Sequence, residues 1–145
     1  MLFRSDATNT PLGTVGSGTT VASGATLDLN GYTLGTAEAL TLNGTGVGGT
    51  AGALANSSGT AVTYSGLLTL GSDATVNATG SITLSNAGTI TGSGSTLTLA
   101  GTATGSSMAS IVGTGAGGLT KTGTGTWTLS GASTYTGTKI GRAHV

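Results

Sequence analysis

The chain has 145 residues, 29 of them glycine, with one proline, no cysteine, 3% aromatic and 6% charged residues, and four bases against four acids. So little net charge, with appreciable hydrophobicity, argues against ordinary disorder. Glycine without a strict three-residue period excludes collagen, and no apolar run approaches the ~18 residues of a membrane helix. A surface this poor in ions must be solvated by Thr, Ser and Asn. A basic nucleic-acid patch has no residues to build it.

In chain order, the first five residues, Met1-Leu2-Phe3-Arg4-Ser5, match one strand of a common short-read sequencing adapter in translation. The last six, Ile140-Gly141-Arg142-Ala143-His144-Val145, match the other, with Lys139 astride the junction. The expectation is a biological insert over residues 6–138, internal to a longer gene, flanked by adapter-derived residues 1–5 and 139–145. Within that insert Lys121 stands alone against Asp6, Asp28, Glu38 and Asp73, a formal charge of −3.

Between these ends one short pattern recurs: two apolar residues flanking a polar one, then a small-residue turn. It runs Leu27-Asp28-Leu29-Asn30-Gly31, Leu40-Thr41-Leu42-Asn43-Gly44, Leu68-Thr69-Leu70-Gly71, Ile82-Thr83-Leu84-Ser85-Asn86, Leu97-Thr98-Leu99-Ala100-Gly101 and Trp127-Thr128-Leu129-Ser130-Gly131. Successive copies lie about 13, 28, 14, 15 and 30 residues apart, which suggests a unit near 14 with some intervals doubled, the mark of a repeat architecture. Period two sends the apolar residues to one side and threonine to the other. β-Branched residues suit a pleated surface, glycine disfavours helix, and Asn30-Gly31 and Asn43-Gly44 mark turns that tolerate positive φ.

An isolated strand of this kind does not hold. Burying a Leu or Ile contributes only about 1.5–3 kcal/mol, against ~1–2 kcal/mol of backbone ordering for every residue. Stacked coils solve the problem by burying one continuous apolar column and pairing each backbone amide above and below. The predicted fold is all-β, a right-handed parallel β-helix (solenoid) of about five or six coils, with ~20–25 residues and ~4.8 Å of height each.

The last part of the insert, Gly117-Gly118-Leu119-Thr120-Lys121-Thr122-Gly123 closing on Thr128-Leu129-Ser130-Gly131-Ala132-Ser133-Thr134-Tyr135-Thr136-Gly137, carries the most specific signal. It resembles the autotransporter-associated β-strand repeat of secreted bacterial passenger domains, departing from it at Trp127, where a smaller aliphatic residue is usual. Upstream, Gly52-Ala53-Leu54-Ala55-Asn56-Ser57-Ser58-Gly59 and Tyr64-Ser65-Gly66 look like preceding passenger coils, so the resemblance covers most of residues 51–137. It implies a non-catalytic structural stalk, displayed at the bacterial surface or released outside. It further implies, as partner, a β-barrel translocator in the outer membrane, encoded by the same parent gene. The lack of cysteine is compatible with export through a narrow pore, where a cross-link formed in an oxidising periplasm would obstruct passage.

Catalytic, metal and cofactor sites are expected to be absent. Nucleophilic catalysis needs a base beside the nucleophile, and the one histidine, His144, lies in the adapter-like tail. Clusters of zinc ligands are missing, Gly117-Gly118 is followed by no calcium-binding aspartate, and the glycine runs lack phosphate-loop spacing. A β-helix carbohydrate-active enzyme, the third reading, would need Asp28, Glu38 or Asp73 to converge; solvated surface positions are the expectation. Lys121 is expected as an exposed strand charge that opposes edge pairing. The alternative function is an adhesin or carbohydrate-binding solenoid, with a surface glycan or host receptor as partner and Trp127, Tyr135, Tyr64 and Tyr32 as contacts, although the phase of Trp127 points inward. The Thr96/Thr98, Thr122/Thr124/Thr126 and Thr134/Thr136 pairs could form a flat ice-binding array, but their uneven spacing predicts ordinary solvated ladders.

Overall fold

The computed structural model describes residues 2–4 and 11–141. The strands are β1 (Leu2–Arg4), β2 (Thr19–Val21), β3 (Thr26–Asp28), β4 (Leu40–Gly44), β5 (Leu54–Asn56), β6 (Val62–Tyr64), β7 (Leu68–Ala78) and β8 (Ile82–Leu84). They continue as β9 (Thr89–Ile90), β10 (Leu97–Gly101), β11 (Ser106–Met108), β12 (Ile111–Val112), β13 (Leu119–Lys121), β14 (Trp127–Leu129) and β15 (Lys139–Gly141). One 3-10 turn, Val47–Gly49, is the only helical element among the described residues. Every strand pairing is parallel. The chain is an all-β parallel solenoid of about six turns.

Each coil contributes to three faces. The first face stacks β1, β3, β5, the end of β7, β10, β13 and β15. The second stacks β6, β8, β11 and β14. The third stacks β2, β4 and the start of β7, then β9 and β12 by way of the Thr69–Thr91 bridge. Strand β7 runs without a break from third face to first, which is why the two faces form one sheet. Residues in register lie between 20 apart, as in Leu119 and Lys139, and 30 apart, as in Gly44 and Ala74.

That coil length explains the sequence repeat near 14. The apolar-Thr-apolar triads fall on different faces: Leu40-Thr41-Leu42 on the third, Ile82-Thr83-Leu84 on the second, Leu97-Thr98-Leu99 on the first. The interval between triads therefore measures the path between faces as well as the climb between coils.

The core consists of inward columns. Leu27, Leu54, Val76 and Leu99 stack in register on the first face, and Tyr64, Leu84 and Met108 on the second. Val21, Leu42 and Leu70 stack on the third. All are buried and belong to one hydrophobic cluster. Corners between faces take glycine or asparagine: Asn30 is the one non-glycine residue with positive φ (48°) among those described, followed by Gly31 at 82°. Asn43 instead lies within β4, whose last residue, Gly44, has φ 74°, where the register with β7 shifts.

Candidate functional site

The three carboxylates occupy three different corners and do not converge. Asp28 ends its strand at the corner from first to second face, Glu38 precedes β4 at the corner from second to third, and Asp73 lies in the bend of β7 from third to first. Two of them are not on the surface: Asp28 is 2% and Glu38 1% exposed, against the expectation of solvated positions. The reason is local. Asp28 Oδ1 accepts the backbone N–H of Asn30 and of Ser57, both at 3.0 Å, and Oδ2 accepts the Ser57 hydroxyl at 2.5 Å, so one carboxylate closes its own turn and ties it to the next coil. Glu38 Oε1 accepts the Thr19 hydroxyl at 3.0 Å, and its main-chain carbonyl accepts the buried Tyr64 hydroxyl. Oε2 of Glu38 is buried with no hydrogen-bond partner in the structure. Burial, assisted by Glu38, pushes the Tyr64 phenol well above the ordinary tyrosine range. Asp73 is exposed as expected and accepts the Thr96 N–H at 2.7 Å. Among the described residues no group of three or more His, Asp or Glu side chains could hold a metal.

Lys121 also differs from expectation. It pairs in register with Leu99 and so lies on the inward side of β13, half-buried at the top of the Leu27–Leu99 column. Its Nζ turns back to the carbonyls of Thr122 and Gly123, the latter at 3.2 Å, leaving the methylene stem against the apolar column. Desolvation lowers its pKa below the usual lysine value.

The aromatic residues form no strip. Tyr64 is wholly buried and Tyr32 is 42% exposed in another coil. Trp127 is inward in phase, stacked over Ser106, and packs partly buried against the core. Its indole N–H donates to the Ala100 carbonyl at 3.3 Å. Trp127 and Tyr135 do share the wall of one cavity of about 720 Å³ at the C-terminal end of the column, along with Lys121.

The threonines are in far better register than their spacing implied, at other positions. Thr20, Thr41, Thr69 and Thr91 stack outward on the third face. Thr75, Thr98 and Thr120 stack on the first, and Thr63, Thr83, Ser107 and Thr128 on the second. The signal was the middle residue of every triad. Of the expected pairs only Thr98 joins a ladder interior; Thr122, Thr124, Thr134 and Thr136 lie outside the strands. Each face carries a single central column, buried at Thr75, and lacks the paired rows of a flat array.

Asparagine side chains that bridge coils were not anticipated. Asn56, 0% exposed, accepts Gly31 N–H at 3.0 Å and donates to Thr60 and Ser81 carbonyls at 2.7 and 3.3 Å, binding three successive coils at one corner. Asn43 donates to Val21 O and Asn86 to Ser65 O, both at 3.0 Å, each joining two coils at another corner. Amide side chains thus add hydrogen bonds to corner carbonyls, Ser81 O also accepting the Val62 N–H at 2.9 Å. Asp6, Arg142 and His144, with the adapter-like stretches apart from residues 2–4 and 139–141, lie outside the described residues.

Residues 119–141 match the family model of the passenger-associated-transport-repeat. No curated protein and no solved structure matches the chain. The match coincides with the resemblance read from Gly117 to Gly137, and extends through β15 to Gly141. The chain therefore carries an autotransporter passenger repeat on a parallel β-solenoid.

Proposed function

We propose that the chain is a structural stalk segment of a secreted autotransporter passenger, displayed at the bacterial surface or released from it, and that its work is mechanical. The observation that carries this reading is the passenger-associated repeat at residues 119–141 forming one coil of an uninterrupted column. The scattered carboxylates, the burial of Tyr64 and the inward phase of Trp127 favour the stalk over the carbohydrate-active enzyme and over a glycan-stacking strip. Each coil contacts mainly its neighbours, so folding can proceed coil by coil. Coils formed outside the membrane would hinder return through the pore, and the partner would be a β-barrel translocator on the same parent polypeptide. No helix among the described residues is long and apolar enough to cross a membrane, which says nothing of a β-barrel.

The test is replacement of an equal number of coils in an autotransporter passenger by this chain, with display scored by protease shaving of intact cells. Efficient display is expected for the native sequence, and stalled display for a variant whose core cannot form. Equal display of both would refute the folding-coupled role. Continuation of the gene into a domain other than a translocator barrel would refute the autotransporter reading.

A further inference from the structure

Of the five asparagines among the described residues, four spend their carboxamide nitrogen on a carbonyl: Asn43 on Val21, Asn56 on Thr60 and Ser81, Asn77 on Thr50, and Asn86 on Ser65. The fifth, Asn30, makes no side-chain hydrogen bond to another described residue; its backbone N–H is held by Asp28 Oδ1 at 3.0 Å. It shares a turn with Gly31, closed by the Tyr32 N–H on the Leu29 carbonyl at 2.9 Å, and both central residues have positive φ, 48° and 82°. Both are half-buried, within reach of water. The residue that follows matters as much as the amide. Gly31 has no Cβ, so its backbone nitrogen is open to approach, whereas Ser57, Ala78 and Ala87 crowd the nitrogen after Asn56, Asn77 and Asn86. Asn43-Gly44 shares the sequence but not the setting. Asn43 lies within β4, bound to Val21 O at 3.0 Å, and its Oδ1 packs so close to Gly71 that a Cβ there would lie 2.4 Å away.

We infer that Asn30 is a site of spontaneous modification, where the chain converts its own carboxamide to an acid with water as the co-reactant. Hydroxide removes the Gly31 amide proton, and the nitrogen attacks Asn30 Cγ. The N–Cγ bond forms, the Cγ–Nδ2 bond breaks, and Nδ2 leaves as ammonia after taking a proton from water. Water then opens the cyclic imide. Cleavage of the N–Cγ bond leaves an aspartate at position 30. Cleavage between that nitrogen and the main-chain carbonyl carbon of Asn30 leaves an isoaspartyl link, which lengthens the backbone by one carbon. To bring Cγ onto the nitrogen the turn must release the Tyr32 N–H from Leu29 O and the Gly31 N–H from Asn56 Oδ1. Neither bond lies in a strand ladder, and a turn opens locally without the column unfolding. At Asn43 the bond to Val21 and the pairing of β4 must open as well. The product sets a second carboxylate beside buried Asp28, and an isoaspartyl link displaces the N–H groups that Asp28 and Asn56 hold. The modification thus falls on a corner that ties successive coils together, whatever the column is used for.

The experiment is a time course of the full chain in mildly alkaline buffer, native and in concentrated urea, with each asparagine followed by peptic digestion and mass spectrometry. In urea Asn30 and Asn43 should convert at matching rates, since both precede glycine. In the native chain Asn30 should go on converting, to both aspartyl and isoaspartyl products, while Asn43 falls at least about tenfold behind it, because its conversion waits on bonds within a strand. Equal native rates at the two sites, whether both fast or both negligible, would overturn the inference. So would faster native conversion at Asn43, Asn56, Asn77 or Asn86 than at Asn30. Asn30→Gln, whose longer side chain disfavours the ring, should abolish most of the ammonia released by the native chain, and undiminished release would overturn the inference as well. The site map of the unaltered chain decides the matter if that variant fails to fold.

Discussion

Replacing Leu54 by alanine tests the idea that the column, and no local motif, holds the fold. Leu54 is 0% exposed, with Leu27 below it and Val76 above it in register. Removing its branched end forfeits part of a transfer free energy of about 1.5–3 kcal/mol for a fully buried side chain. It also leaves a cavity that paired strands on both sides cannot collapse into, so the total should fall at about 3–4 kcal/mol, within the usual range for buried leucines. Leu129 has the same chemistry and the same inward phase, but it is 43% exposed and covered from one side only by Met108. Its vacancy opens to water, so Leu129→Ala should cost about 1 kcal/mol. Urea unfolding followed by circular dichroism gives both values. Leu54→Ala should also broaden the transition, because a weakened junction lets the coils beneath it unfold separately. Equal costs for the two substitutions, at unchanged cooperativity, would refute the stacked-column account.

Gly66→Ala should be more damaging than its size suggests, because the added Cβ would lie 1.7 Å from the Glu38 carbonyl oxygen; Gly94→Ala, with φ at 75° but open space around it, should cost only about 1–2 kcal/mol by the same urea assay. Tyr64→Phe should destabilise by about 1–3 kcal/mol, since it strands the buried Glu38 carbonyl. The Tyr64 phenol is raised in the folded state, so its contribution is complete below its ordinary value of 10.0 and is lost as pH climbs from there toward the folded value. Stability measured on the alkaline side should therefore fall more steeply in the native chain than in Tyr64→Phe, and parallel slopes would contradict that. Asp28→Ala should cost about 3 kcal/mol by removing charge-assisted bonds that close one turn and join two coils, as read by thermal or urea unfolding. Lys121→Leu should raise stability by about 1 kcal/mol in the same assay, since it extends the Leu27–Leu99 column in place of a folded-back lysine.

The strands and the stacking principle were legible in the sequence because both depend on local alternation. Leu40-Thr41-Leu42 and Leu97-Thr98-Leu99 show period two directly, and their leucines are buried as that alternation requires. Coil length was harder to read because the strands are so short: most contain three residues, and nothing in a triad says which of three faces it joins. Only pairing partners reveal that Leu42 sits beneath Leu70 and not beneath Ile82. The same ambiguity hid the threonine ladders, whose members are 20 or more residues apart. Asp28 and Glu38 were misplaced for a different reason. Charge alone predicts exposure, but Asp28 sits where Ser57, one coil away in space and remote in sequence, supplies donors. Lys121 followed the opposite course: period two placed it inward all along, as it placed Trp127, and the expectation of exposure gave residue type more weight than phase.

Phase also accounts for the difference between the repeat coil and the coils beneath it. Where the first face has Leu54, Val76 and Leu99, the matched repeat has Lys121, and where the second has Val62 and Ile82 it has Trp127 over Ser106. Two of the inward positions of this coil are filled by long side chains with polar tips, each tied to a corner carbonyl of its own or the preceding coil. The stems of such side chains cover the apolar column beneath them. Stiffness along the column should then be greatest where Leu54, Val76 and Leu99 interlock, because bending resistance in a stacked array comes from apolar contact between neighbours.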